Sequence, residues 1–141
     1  MIDKIFLDTN VLVYLFDKSE KLKQSKVKRL ISEHLQQSKI FISVQVINEF
    51  INITSNKIKY PVPAAKQKEI IELLNDLFLV SSLNINTSVN ALDISIKYKL
   101  SFWDSLILSS AIENNCSILF TEDMQDGQYI EDKLKIINPF K

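Results

Sequence analysis

Apolar and polar positions along this chain change period several times, and each change marks an element. Ile5-Phe6-Leu7 is an unbroken apolar run that stops at Asp8, and a second run, Val11 to Phe16, starts just beyond it. A short continuous run of this kind reads as a strand buried on both faces. Asp8 then stands at the strand's carboxyl end, with a helix starting near Val11. From 20 to 37 the spacing turns helical, with Leu22, Val27, Leu30, Ile31 and Leu35 expected inward. Ile40-Phe41-Ile42 reads as a second strand. Residues 44 to 58 follow as a helix whose apolar side runs from Val44 and Val46 through Phe50 to Ile58, opposite Gln45, Asn48, Asn52, Ser55 and Asn56. At about 100° per residue, Glu49 falls on the seam between those faces.

Tyr60-Pro61-Val62-Pro63 breaks the chain, and a helix resumes over 63 to 79. A strand near 79 to 83, helices over 87 to 99 and 102 to 115, a buried strand at Ile118-Leu119-Phe120 and a last, edge strand over 134 to 137 complete the series. Strands that alternate with helices predict an α/β fold with a central, mainly parallel sheet and helices on both faces. Folds of this class keep their ligands in a crevice at the carboxyl ends of the strands.

Length and composition narrow the class. At 141 residues and 46% hydrophobic content, the chain is expected to form one domain, residues 1 to 141, with a real core. One glycine and three prolines argue against disorder. No apolar run approaches the roughly 18 residues of a membrane span, and the first residues lack the zones of a signal peptide, so a cytoplasmic location is expected. Cys116 stands alone, which excludes an internal disulfide, and no Cys/His set has zinc spacing. Formal charge is zero but polarised: residues 1 to 68 carry a net +6 and the remainder −6. Lys18, Lys21, Lys23, Lys26, Lys28 and Arg29 form the densest basic run, either the solvated face of a helix or a track for a phosphate backbone.

The candidate chemistry lies in four acids. Asp8 follows the first strand, Glu49 sits on a helix seam, Asp104 lies within Ser101-Phe102-Trp103-Asp104-Ser105-Leu106-Ile107, and Asp123 follows the strand ending at Phe120. Each has a plainer role open to it. Asp8 can cap the next helix, Glu49 can point to water, Ser101 and Asp104 resemble a capping box, and Asp123 suits a turn. The helix around Asp104 is apolar around almost its whole circumference, however, and an acid on a buried helix is costly unless paired or metal-bound. Three of the four stand where a parallel sheet would bring strand ends and helix starts to one crevice. An oxygen-only set suits a hard cation, Mg²⁺ with Mn²⁺ as a possible substitute. Without a cation the cluster would repel a phosphate, so metal dependence and a phosphodiester substrate are expected together. Phe102 and Trp103 have the chemistry to stack on bases, but their apolar neighbours favour the core. His34 lies in the basic helix, away from the acids, and reads as a helix-surface residue.

With these motifs in hand, the chain resembles PIN-domain ribonucleases over essentially its full length. The matching stretches are Phe6-Leu7-Asp8-Thr9-Asn10-Val11-Leu12-Val13-Tyr14, Ile47-Asn48-Glu49-Phe50, Tyr98-Lys99-Leu100-Ser101-Phe102-Trp103-Asp104-Ser105-Leu106-Ile107, and Leu119-Phe120-Thr121-Glu122-Asp123-Met124-Gln125-Asp126-Gly127. The resemblance implies a three-layer α/β/α sandwich and a metal-dependent endoribonuclease. Asp8, Glu49, Asp104 and Asp123 would be its metal-binding acids, with Thr9, Asn10 and Thr121 as polar support. The compact length is similar to the toxin halves of VapBC-type toxin–antitoxin pairs. That likeness implies a homodimer that cuts a structured RNA such as tRNA and is inhibited by a cognate antitoxin.

Two features depart from the family pattern. Lys99 stands where relatives often have glycine, which would put a cation near the substrate path. Glu122 and Asp126 compete with Asp123 for the fourth acidic role. Hydrolysis by activated water would leave 5′-phosphate and 3′-hydroxyl ends. Other readings are an RNA-processing nuclease without toxicity, a catalytically silent metal- or RNA-binding module, and a phosphoacceptor built on Asp8. The last lacks the accompanying acids, since Asn10 stands where the phosphatase pattern wants a second Asp.

Overall fold

The computed structural model describes residues 3–141. β1 (Asp3–Leu7) runs through the middle of the sheet, and the reason is in its sequence. Successive side chains of a strand point to opposite faces, yet Ile5, Phe6 and Leu7 are all fully buried. Both faces of the sheet are therefore covered. β1 pairs in parallel with β2 (Ser38–Ser43) on one side and β4 (Ile118–Phe120) on the other. β2 continues to β3 (Leu79–Ser81) and β4 to β6 (Leu134–Ile137), both in parallel.

A two-residue strand, β5 (Tyr129–Ile130), pairs antiparallel with β6 and takes the edge, giving the order β3-β2-β1-β4-β6-β5 among the described residues. The last strand is thus internal, against the expectation of an edge. β5 and β6 are joined by a tight turn with Glu131 and Asp132 in the left-handed region, and two paired residues leave no periodic trace in a sequence.

The chain adds β2 and β3 on one side of β1 and β4 and β6 on the other, so strand order reverses between β1 and β4. At such a switch point a crevice opens above the strand ends. The helices α1 (Thr9–Tyr14), α2 (Lys21–Gln37), α3 (Val44–Asn56), α4 (Ala64–Leu77), α5 (Ile85–Tyr98) and α6 (Phe102–Glu113) connect the strands. Side-chain capping starts four of them, α1 through Asp8 and three others through neutral residues. Ser43 Oγ accepts from Val46 N for α3, Asn84 and Thr87 form a reciprocal box for α5, and Ser101 Oγ accepts from Asp104 N for α6.

Helix α2 buries less than its periodicity predicts. Val27 and Ile31 are buried and Leu30 is partly so, whereas Leu22 is 83% exposed and Leu35 is also exposed. Leu22 lies roughly 140° around the helix from Val27. Helix α6 follows its expectation, with every residue from Ser105 to Ala111 buried.

Candidate active site

Asp8 serves both roles the sequence leaves open. Its backbone N–H donates to Phe120 O (3.0 Å), which fastens the end of β1 to β4. Its Oδ1 caps α1 by accepting from Thr9 N (2.7 Å), and its Oδ2 accepts from Thr121 Oγ1 (2.8 Å) and, at 3.4 Å, from Asn10 Nδ2. Capping and crevice are compatible because the cap engages mainly one oxygen. The other faces the end of β4.

The polar neighbours hold the acids in place, and Asn10 and Thr121 each bridge Asp8 to Asp123. Thr9 Oγ1 donates to Glu49 Oε1 (3.0 Å), bringing the seam residue of α3 to the start of α1. Asn10 Nδ2 donates to Asp123 Oδ2 (2.9 Å), while Asn10 Oδ1 accepts from Glu122 N (3.1 Å). Thr121, fully buried, donates to Asp8 and accepts from Asp123 N (3.2 Å). Asp104 comes from the first turn of α6, where its own N–H is capped by Ser101 (3.1 Å). Four acids from four separate segments thereby line one small pocket of about 130 Å³, with Thr9 and Asn10.

Of the three acids that compete after β4, Asp123 alone lines this pocket. Glu122 turns away to accept from Tyr14 Oη (2.6 Å) and Lys23 Nζ (2.5 Å), and Asp126 accepts from Asn138 N (2.7 Å). Lys23 is consequently tied into an ion pair, while Lys18, Lys21, Lys26, Lys28 and Arg29 are exposed. Lys99 is exposed and does not line the acid pocket. It ends α5 at φ 56°, ψ 48°, the left-handed conformation that glycine adopts without strain. His34 is half-buried beside Ser38, with its ring 5.4 Å from that of Phe120, and takes no part in the pocket.

Gln45, Ile53, Trp103 and Ile107 also line the pocket and were not assigned to it from sequence. Gln45 lies one turn before Glu49 on α3, so the i, i+4 spacing was its available signal. Its Nε2 donates to Trp103 O (3.3 Å), joining α3 to α6. Trp103 overturns the expectation of core packing: it is 63% exposed, while Phe102 is half-buried beneath it. At the first turn of α6 the helix has not yet run under the sheet's cover, so apolar character there does not mean burial.

Electrostatics show what the pocket lacks. Burial pushes Asp8 up to about 6; its hydrogen bonds from Thr121 and Thr9 pull it down, and the carboxylates of Glu49 and Asp104 push it further up. Asp104 is raised too, chiefly by burial and also by Asp123, against the effect of its bond with Ser101. No lysine or arginine lines this pocket. Among the described residues, no three His, Cys, Asp or Glu side chains are already drawn together into a finished metal cage. The donor set nonetheless fits a hard divalent cation: it is oxygen-only, partly desolvated, mutually repelling and held by hydrogen bonds on its outer side.

Acids gathered at the switch point of a mainly parallel sheet lie where open α/β folds keep their ligands. The PIN domain family model matches residues 5–125, and the chain belongs to that family. A comparison with curated protein sequences gives no match. Solved structures share the fold. A toxin–antitoxin complex from Klebsiella pneumoniae has a TM-score of 0.70 at 18% identity, covering 96% of this chain and 97% of that one. VapBC-1 from nontypeable Haemophilus influenzae has a TM-score of 0.67 at 22% identity, covering 98% and 99%. VapC20 from Mycobacterium tuberculosis, a sarcin-ricin loop cleaving toxin, has a TM-score of 0.68 at 15% identity, covering 84% and 89%.

Proposed function

We propose that this chain is a metal-dependent endoribonuclease and the toxin of a toxin–antitoxin pair. The observation that carries the reading is the convergence of Asp8, Glu49, Asp104 and Asp123 on one pocket, with Thr9, Asn10 and Thr121 each bonded to at least one of them. These acids would hold Mg²⁺, with Mn²⁺ as a substitute. When bound, the cation polarises a phosphoryl oxygen, makes nearby water more acidic and neutralises charge that builds in the transition state. The chain's own contribution is position and proton transfer. Thr9, Asn10 and Thr121 fix the carboxylates, Ile53 and Ile107 keep the pocket wall apolar, and one carboxylate accepts the proton of the attacking water.

The exposed cations of α2 suit a ribose–phosphate backbone, which must approach an acidic pocket. Fold likeness to toxin–antitoxin complexes, and to a toxin that cleaves the sarcin-ricin loop, supports a structured RNA substrate such as tRNA or rRNA and an inhibitory antitoxin partner. Among the described residues no helix is long and apolar enough to cross a membrane, which agrees with a cytoplasmic protein acting on cytoplasmic RNA. A homodimer is supported by α5, where Ile85, Val89, Leu92 and Ile96 repeat at coiled-coil spacing and are 51 to 79% exposed.

Incubating the protein and its Asp8→Asn/Asp104→Asn variant with total RNA, with Mg²⁺ or EDTA, tests the reading. Discrete fragments with 5′-phosphate ends, dependent on metal and absent with the variant, are expected. Intact RNA under every condition, or fragments that persist in EDTA, would overturn it.

A further inference from the structure

A second depression, of about 530 Å³, adjoins the acid pocket and shares Gln45, Glu49 and Trp103 with it. Its volume lies within the range of small-ligand sites. Its walls are apolar, from Val44, Leu83, Leu106 and the indole of Trp103, and Gln45 and Asn48 add two carboxamides. Neither lysine nor arginine lines it.

We infer that this slot takes a nucleobase of the RNA next to the scissile phosphate, stacked on Trp103. The inference rests on the nuclease reading of the acid pocket and deepens it. Three observations carry it. First, Trp103 is 63% exposed at the mouth of a charged site, where a large apolar ring gains nothing from the core. Second, the ring is braced: Phe102 meets it edge-on, with centroids 5.5 Å apart and planes at 72°, and Gln45 Nε2 bonds to its backbone carbonyl. A platform held in place in advance loses little freedom on stacking. Third, apart from Glu49, which it shares with the acid pocket, the slot's lining is neutral and matches a base better than an ionic side chain. A base offers a π face for the indole and neutral hydrogen-bonding edges for carboxamides. Continuity with the acid pocket means that a strand whose phosphate lies at the acids enters the slot with its next base.

Trp103 is the chain's single tryptophan, so its emission reports on the slot alone. The Asp8→Asn/Asp104→Asn variant, which lowers both cleavage and phosphate repulsion, is titrated with a short labelled single-stranded oligoribonucleotide. A parallel titration uses inorganic polyphosphate. Label anisotropy reports binding, and tryptophan emission reports stacking. The expected result is a saturable loss of emission with RNA and none with polyphosphate. Trp103→Ala in the same background should bind RNA roughly tenfold more weakly, and Trp103→Phe should recover part of that loss.

RNA that binds without changing the emission, and equally well to Trp103→Ala, would overturn the slot and leave the nuclease reading intact. Quenching in a protein whose native form never cuts RNA would support the slot and count against the nuclease. RNA that fails to bind at all would overturn the slot. If Trp103→Ala cuts RNA at the native rate but escapes inhibition by the antitoxin, the slot belongs to a protein partner and the proposal falls.

Discussion

Asp8 is the residue where fold and chemistry conflict most. Its carboxyl is held near 6 by burial in the folded chain and titrates near its ordinary value of 3.8 when unfolded. Between those values the folded state binds more protons, so stability falls as pH rises through the window, and the deficit is complete above about 6. A shift of this size is worth at most roughly 3 kcal/mol. Metal-free protein should therefore be more stable near pH 4.5 than at pH 7.5 as far as this group is concerned. Denaturant melts at both values should show a much smaller difference for Asp8→Asn, and an unchanged difference would contradict the burial account. Lys99 poses a simpler problem. A left-handed residue with a side chain costs about 1 kcal/mol, and Lys99 has no place in the acid pocket. Lys99→Gly should stabilise the protein by up to that amount in urea unfolding and leave RNA cleavage unaltered.

At the scale of elements, the segment after β4 is held from two sides. Asn10 of α1 grips it through Asp123 and the backbone of Glu122, while Tyr14 of α1 and Lys23 of α2 grip the Glu122 carboxylate. Burial alone would raise Glu122, but its bonds with Lys23 and Tyr14 outweigh that and bring its pKa down. Glu122→Gln should cost little stability, since a partly exposed ion pair contributes about 0 to 1 kcal/mol. It should still slow cleavage several-fold by loosening Asp123. Equal rates for Glu122→Gln and the native protein would show that Asn10 alone suffices. Elements with long, regular patterns were readable from sequence: β1, α3 and α6 carry unbroken or strictly periodic apolar runs. β5 was not, because two residues and a tight turn carry no period. The exposure of Trp103 and Leu22 was hidden for a related reason, since periodicity ranks the faces of a helix but does not say where cover by its neighbours begins.

Over the whole molecule, the sheet's switch point turns distant sequence positions into one pocket, and the four acids were legible because three of them follow or open an element with a strong pattern and Glu49 sits on the seam of one. Their supporting bonds were only partly legible. Thr9, Asn10 and Thr121 stood beside acids in sequence, but each also serves a distant one, Thr9 binding Glu49, Asn10 binding Asp123 and Thr121 binding Asp8. Gln45 and the adjoining slot depend on how α3 meets α6, which a single sequence does not encode locally. On the molecule's surface, Ile85, Val89, Leu92 and Ile96 of α5 form an exposed apolar stripe. Val89→Lys/Ile96→Lys should shift the protein from dimer to monomer in sedimentation at micromolar concentration, and a native protein that sediments as a monomer would contradict the dimer.

In the function proposed above, the four acids together hold a divalent cation. Anomalous diffraction from crystals soaked in Mn²⁺ can locate it. A peak inside the pocket, within ligand distance of the Asp8 and Asp104 carboxylates and missing from crystals of the Asp8→Asn/Asp104→Asn variant, is the expected result. Manganese bound elsewhere, or a peak that persists in the variant, would contradict it.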